Sequence, residues 1–466
     1  MNSKDNKKDK KDKEDKLNRE FILNANMWIL ILKLCIPLAI YQSSNQIFKM
    51  FDAQMASHIS SYAMSAVSYV SQISLMIASV GVGLSMGSSL KVSEAYGAGD
   101  YTLMKKRIAN MYLLNAILAV LAIMLIPFSN IILKFMNMPQ ELLNIGKSYF
   151  IIDLIATAIS FINITFISIE RARGNSKVIL YLNLTSVILK FLLSYFMIYK
   201  MNYGIASIAI ATLATQIVLF VIAIVRNIRD NRLFCFDYHY LSKEKNITPP
   251  MVKLSIPVIF EKISFSFGKV IINSMSATYG VITVGALSVT NNISGMTTAP
   301  QNGFQEGGAA IISQNLGANK YDRAVSAFKV ILIYNLIIGI IGFFISMVYV
   351  HQIAALFAPT DSLLQSMIVH IYRYEAFGAI ALGIGVSVTA LLYGYGMTRL
   401  TFVMNFCRLF VFRIPVLFVL QQYTTIGYQA VGIVMMVSNI SVAVMSIVIG
   451  IYVIKRINRE GKNVFI

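Results

Sequence analysis

The sequence predicts an all-α integral membrane protein of twelve transmembrane helices arranged as two parallel six-helix repeats. Three observations predict it. Of 466 residues, 57% are hydrophobic and 13% charged, where a soluble domain carries roughly 25% charged residues. Runs of about twenty residues almost free of charge recur, among them Tyr112 to Leu133, Ile331 to Val350 and Ile433 to Ile454. A helix needs about 20 such residues to cross the hydrocarbon, where only its own hydrogen bonds satisfy its backbone. The chain also matches itself without a gap at an offset of 220 residues, with 18 of 69 positions identical between Lys33–Tyr101 and Lys253–Tyr321.

The elements follow in order. Residues 1–26 read as a disordered, basic, cytoplasmic tail, with eight Lys/Arg and six Asp/Glu between Met1 and Glu20. Spans are expected at 28–51, 62–89, 108–130, 146–169, 178–200 and 205–226, forming an N-terminal lobe over 27–226. A charged stretch closed by Pro249-Pro250 reads as an inter-lobe linker over 227–250. The second set falls at 254–278, 282–312, 326–349, 365–392, 401–421 and 428–454, giving a C-terminal lobe over 251–455 and a cytoplasmic tail over 456–466.

The net charge of +19 raises a nucleic-acid reading, and its placement argues against one. Positive residues cluster in alternate connections: Lys105, Lys106 and Arg107; Arg171, Arg173 and Lys177; Lys320 and Arg323; Lys455, Arg456, Arg459 and Lys462. The connections around 52–61, 279–281, 350–364 and 422–427 carry none. Loops retained in the cytoplasm show that bias, so both ends are expected inside a multi-pass plasma-membrane protein. Cys35, Cys235 and Cys407 are far apart and imply neither a disulfide framework nor a metal site. No cleavable signal peptide is expected.

The repeat pairs Pro37 with Pro257, Lys49 with Lys269, Gly83 with Gly303, Gly87 with Gly307 and Gly97-Ala98 with Gly317-Ala318. Further on, Gly174 and Asn183 parallel Gly396 and Asn405 at an offset of 222. Six spans is an even number, so both copies enter from one side, and the repeats are parallel. Transporters built from such halves hold substrate near the midplane and alternate access by rocking.

Several motifs resemble the multidrug and toxic compound extrusion (MATE) family. They are Ile36-Pro37 followed by Phe51-Asp52; Ser93-Glu94-Ala95-Tyr96-Gly97-Ala98-Gly99-Asp100; Glu170-Arg171-Ala172-Arg173-Gly174-Asn175-Ser176-Lys177; and Gly307 to Arg323, containing Asn315-Leu316-Gly317-Ala318-Asn319-Lys320. The resemblance covers about residues 30–455 and implies two six-helix lobes, an outward-opening cavity, and efflux driven by H⁺ or Na⁺. No phosphate-binding Gly-x-x-x-x-Gly-Lys-Ser/Thr loop is present, so a gradient or a partner must supply the energy. No enzymatic activity and no cofactor are expected. The expected partners are the bilayer and a small molecule, with the chain acting as a monomer.

An ionisable side chain inside the membrane is costly and therefore a functional candidate, although a paired structural charge is always the plainer reading. Asp52 matches the family's cation-binding carboxylate, with Lys49 three residues away as a structural partner. Where ion-coupled members carry an Asn and then an Asp four residues on, this chain has Lys190 and Ser194. A lysine there would repel Na⁺, and an Asp52–Lys190 pair that opens and closes with protons or substrate is expected. In the second lobe Glu261 and Glu306 are candidates for substrate or proton binding. Arg373, Glu375, Arg408 and Arg413 read as interhelical ion pairs. Gln42 and Asn45, with Tyr41 and Gln46, could line a cavity, and Lys49 and Lys269 belong to the same polar set.

Two functions compete on this reading. The first is a secondary active exporter of amphipathic compounds or drugs. The alternative is a flippase or exporter of an anionic or lipid-linked substrate, because Lys49, Lys190, Lys269, Arg373, Arg408 and Arg413 outnumber Asp52, Asp153, Glu261, Glu306 and Glu375 inside the spans. A channel or receptor finds little support.

Overall fold

The computed structural model describes residues 2–59, 61–135, 138, 140–201, 203–230, 233–359 and 361–460. Every regular element among them is helical. In chain order these are α1 (Asn2–Asn24), α2 (Met27–Ile59), α3 (Ser61–Ala98), α4 (Tyr101–Met124), α5 (Ser129–Phe135), α6 (Gln140–Arg173), α7 (Ser176–Tyr199) and α8 (Ala206–Asp230). The second set is α9 (Thr248–Ser276), α10 (Val281–Gly317), α11 (Tyr321–Val348), α12 (Val350–Phe357), α13 (Ser362–Ala376), α14 (Gly378–Gly394), α15 (Thr398–Phe406), α16 (Ile414–Tyr423) and α17 (Gln429–Glu460).

Among the described residues nine helical segments are long and apolar enough to cross a membrane, and α13 with α14, bent by 46°, makes a tenth. The remaining two of the expected twelve are α9 and α10, at 29 and 37 residues. Both are long enough to cross, and both carry polar or charged residues within the span. Lys253, Glu261, Lys262 and Lys269 interrupt α9, and α10 is rich in Gly, Thr, Asn and Gln. Polar helices are compatible with a bilayer when protein covers their polar face. The opposite surface shows on α4, where Leu113, Ile117, Val120, Leu121 and Met124 are exposed and suited to lipid.

The chain divides into two compact units. Unit 1 is Met1–Ala25 with Ile47–Lys262, and unit 2 is Asn26–Gln46 with Ile263–Ile466. This differs from the chain-order division at 226 and 251, because α2 and α9 each give their first part to the other unit. The glycines of the repeat explain the exchange. In unit 1, a Cβ on Gly83 would meet the Ile259 backbone at 2.8 Å, and one on Gly87 the Ser255 Cα at 2.6 Å. In unit 2, a Cβ on Gly303 would meet the Ala39 nitrogen at 2.4 Å, and one on Gly307 the Cys35 Sγ at 2.7 Å. These contacts map onto each other at the offset of 220. So do two further ones: Ser255 Oγ donates to the Leu84 carbonyl at 3.0 Å, and Cys35 Sγ lies 4.0 Å from the Phe304 carbonyl.

Each unit has its own apolar centre. In unit 1, Val70, Leu133, Phe150, Leu154 and Ile208 are buried together, and in unit 2 Ile293, Ile368, Ile371, Tyr372 and Ala376. The 227–250 segment is tied to α4. Asn110 Nδ2 donates to the Ser242 carbonyl at 2.6 Å and to Thr248 Oγ1 at 2.9 Å, and Lys106 pairs with Glu244.

The expected disordered tail requires correction. Residues 2–24 form α1, and its second half docks on unit 1. Asp15 is buried and pairs with Arg173 at 2.5 Å, and Tyr96 Oη donates to the Asp15 carbonyl at 2.6 Å. Arg19 Nη2 donates to the Gly97 carbonyl at 2.6 Å, capping the C-terminal end of α3. Asn18 Nδ2 reaches the Arg173 carbonyl at 2.8 Å, while Ile22 and Leu23 are buried. A charge-rich stretch folds here because the ends of α3 and α6 supply both a buried cation and unsatisfied carbonyls.

Candidate functional site

Each unit contains a carboxylate acted on by at least one cation, and the two sets are related by the repeat. In unit 1, α6 carries Asp153, α3 places Ser74 beside it, and Lys190 of α7 acts on its charge. Lys49 of α2 in turn feels Lys190. The Ser74 hydroxyl is buried without a well-formed hydrogen bond. In unit 2, α13 carries Glu375, α10 places Ser294 beside it, and Arg413, Arg408 and Lys269 act on its charge. Ser74 and Ser294, like Lys49 and Lys269, stand 220 residues apart, and Asp153 and Glu375 stand 222 apart.

Lys190 and Arg413 complete the correspondence through a change of register. At an offset of 222, Lys190 meets Phe412. Between α15 and α16, however, Cys407–Val411 form one π-helical turn, which accommodates one extra residue. Past that turn Arg413, one residue beyond Phe412, is the cation that acts on Glu375 as Lys190 acts on Asp153. The turn is seated on α9 at Gly268, where a Cβ would fall 2.8 Å from Leu409 Cδ1.

Unit 2 adds a buried polar anchor on α17. Arg408 donates to Asn439 Oδ1 through Nε at 3.1 Å and Nη2 at 2.8 Å, and Arg413 Nη2 reaches the same oxygen at 3.1 Å. Arg413 Nε donates to Ser438 Oγ at 2.9 Å. Asn439 fits because Gly378, at the bend between α13 and α14, has no side chain, and a Cβ there would lie 2.3 Å from Asn439 Nδ2. The interhelical ion pairs expected for Arg408 and Arg413 are therefore replaced by neutral acceptors. Among the described residues neither arginine has a carboxylate at ion-pair distance. Arg373 faces away, exposed, with its Nη2 at 3.3 Å from His351 Nε2.

The other candidates separate. Gln42 Nε2 donates to Glu306 Oε1 at 2.9 Å, and Gln46 Nε2 to Asn292 Oδ1 at 3.5 Å, both within unit 2. Glu261, expected in the second lobe, belongs to unit 1, where it is buried with Lys262 Nζ at 3.5 Å. Ser194 is buried and its hydroxyl has no hydrogen-bond partner among the described residues. Asn45 is half-buried and Lys49 and Lys269 are exposed. The side chain of Asp52 lies outside the described residues, and with it the expected Asp52–Lys190 pair. Sequence reasoning missed Asp153, Ser74, Ser294 and Asn439 as site residues. For the first three the signal was present, since Ser74 and Ser294 are identical repeat mates and Asp153 aligns with Glu375.

A duplicated helical membrane transporter with one carboxylate–cation site in each unit is the class that this fold and site define. The MatE family matches residues 37–196 and 257–419, two segments that begin 220 residues apart. The chain belongs to the MatE family. Among curated relatives, the probable multidrug resistance protein YoeA of Bacillus subtilis is 25% identical over 388 residues, covering 80% of this chain and 82% of that one. The multidrug export protein MepA of Staphylococcus haemolyticus is 23% identical over 367 residues, covering 78% and 80%. An outward-facing multidrug resistance MATE family transporter of the MOP superfamily superposes with a TM-score of 0.89 at 18% identity, covering 94% of this chain and 98% of that chain. A MOP superfamily transporter from Pyrococcus furiosus, described by the reverse polarity of its binding pocket, gives the same TM-score of 0.89 at 18% identity and the same coverage of 94% and 98%. At these identities the structural likeness shows the fold.

Proposed function

We propose that this chain is a secondary active exporter that moves amphipathic small molecules across the plasma membrane by alternating access, in exchange for protons. Both termini would be cytoplasmic and a single chain would suffice. The relatives named for multidrug resistance and export support the cargo class. The observation that carries the coupling is the pair of repeat-related carboxylates, Asp153 and Glu375, each set beside a serine and within the influence of cations, Lys190 for the first and Arg413, Arg408 and Lys269 for the second. Those cations repel Na⁺, whereas a proton can neutralise the carboxylate in place. Protonation then removes the negative charge that Lys190 or Arg413 acts on, which changes the local electrostatics by a full unit and favours rearrangement. Asp52, with Lys190, stays within this proposal as a third coupling group.

The test is transport in proteoliposomes. Ethidium should move under an imposed pH gradient and not under a Na⁺ gradient, and Asp153→Asn or Glu375→Gln should each lower the pH-driven rate at least tenfold. Ethidium movement under the Na⁺ gradient alone would overturn proton coupling. A second reading, export or flipping of an anionic or lipid-linked substrate, is favoured by one observation: in unit 2 three cations, Arg413, Arg408 and Lys269, act on the one carboxylate Glu375.

A further inference from the structure

Arg408 has no counterpart in the matching site of unit 1. At the offset of 222 its repeat mate is Ser186, whose hydroxyl does no more than bond the Leu182 carbonyl at 2.8 Å. The cations described near Asp153 in unit 1 are Lys190 and, beyond it, Lys49. The third cation in unit 2 is therefore an addition that the repeat does not explain.

Its surroundings leave that addition undercompensated. Two guanidinium groups, with five N–H donors each, converge on one amide oxygen of Asn439. Lys269 Nζ lies 4.9 Å from the centroid of the Phe265 ring and the Arg408 guanidinium 5.6 Å from the same ring. Glu375 is 5% exposed and its Oε2 accepts no hydrogen bond from the described residues. Among the described residues it forms no ion pair with either arginine. Buried cations without carboxylate partners are heavily penalised, and guanidinium is the side chain best shaped to hold a carboxylate or phosphate through parallel hydrogen bonds. Burial is graded across the cluster: Arg413 is buried, Arg408 half-buried and Lys269 exposed. The π-helical turn between α15 and α16 is what lets residues five apart converge on one oxygen.

We propose that unit 2 contains an oxyanion-binding site, formed by Arg408, Arg413 and Lys269 around Asn439 and Phe265, that takes the carboxylate or phosphate head of an amphipathic molecule. Lys269 meets the ligand at the exposed side, Arg408 receives the head group, and Arg413 with Asn439 forms the floor. Phe265 presents an apolar face to the rest of the molecule. That the ligand is cargo rests on the transporter reading; that the site binds an oxyanion does not. The head group can come from a soluble small molecule or from an anionic lipid.

The experiment uses the purified full-length protein and radiolabelled p-aminohippurate, an aromatic carboxylate. Saturable binding is expected to the unmodified chain. Arg408→Ser, which installs the repeat mate, should weaken it about tenfold or more, corresponding to the loss of one charge-assisted contact. Arg408→Lys, which keeps the charge and loses the parallel hydrogen bonds, should weaken it less than Arg408→Ser does, and Lys269→Gln, at the exposed side, should weaken it even if Arg408→Ser fails to fold. Displacement by inorganic phosphate but not by phosphatidylglycerol identifies a soluble ligand. Displacement by phosphatidylglycerol and not by phosphatidylcholine identifies a lipid head group. The proposal is overturned if folded protein binds none of the three oxyanions, or if the folded Arg408→Ser and Lys269→Gln variants bind p-aminohippurate as tightly as the unmodified chain. Ethidium transport without anion binding would refute this site and leave the exporter standing. Anion binding without any gradient-driven transport would do the reverse.

Discussion

Gly303 shows how far a single residue determines the packing. A methyl group there would sit 2.4 Å from a backbone nitrogen of Ala39, and backbone cannot swing aside as a long side chain can. Gly285 lies on the same helix, where the nearest atom to an added Cβ is 3.9 Å away. Replacing a helical glycine by alanine in open space stabilises by roughly 0.5–1 kcal/mol through backbone entropy, whereas overpacking costs about 1–3 kcal/mol. Gly303→Ala should therefore lower the melting temperature in detergent while Gly285→Ala leaves it level or raises it. Gly83→Ala, the repeat mate, should behave as Gly303→Ala does. Equal melting temperatures for Gly303→Ala and Gly285→Ala would contradict the close approach of α10 to α2. The pairing of these glycines was legible as sequence identity. What they touch was not, because identity at an offset of 220 says that two positions are equivalent and nothing about which helix faces them.

Among the elements, α1 is the one whose sequence misled. Its composition is that of a solvated segment, and its docking depends on a few residues in the second half that composition averages away. Asp15 and Arg173 lie 158 positions apart, so no local pattern links them. Their pair is buried on both sides, and Glu170 approaches the same guanidinium at 3.5 Å. Removing one member of a buried pair leaves the other charge without compensation and costs about 3–5 kcal/mol. Asp15→Ala should lower the melting temperature and open Lys13, Lys16 and Arg19 to trypsin, and Arg173→Ala should do the same. The double variant should cost clearly less than the sum of the two, since both single changes break one interaction. Strict additivity would mean that α1 is held by its other contacts, those of Asn18, Arg19, Ile22 and Leu23, and not by this pair. The π-helical turn was hidden for a related reason: one residue added within a helix leaves the hydrophobic pattern almost unchanged.

At the scale of the whole molecule, the bilayer made the fold readable while the site stayed largely hidden. Hydrocarbon allows few helical solutions, so apolar runs and the repeat sufficed for the architecture. A charge inside the membrane, by contrast, takes its meaning from partners on other helices. Asp153 needs Ser74 on α3 and Lys190 on α7, and Glu375 needs Ser294 on α10 and Arg413 beyond the π-helical turn. Duplication nevertheless makes a strong demand on mechanism. If both sites descend from one device and both take protons, each should contribute to the coupling independently. Proton uptake per exported ethidium, followed with a pH-sensitive dye inside liposomes, should fall in Asp153→Asn and in Glu375→Gln, and vanish in the double variant. Loss confined to one single variant would mean that one unit kept the coupling role while the other retained only its charge pattern. Full proton exchange in the double variant would move the role to Asp52 and leave the twin carboxylates as structural charges.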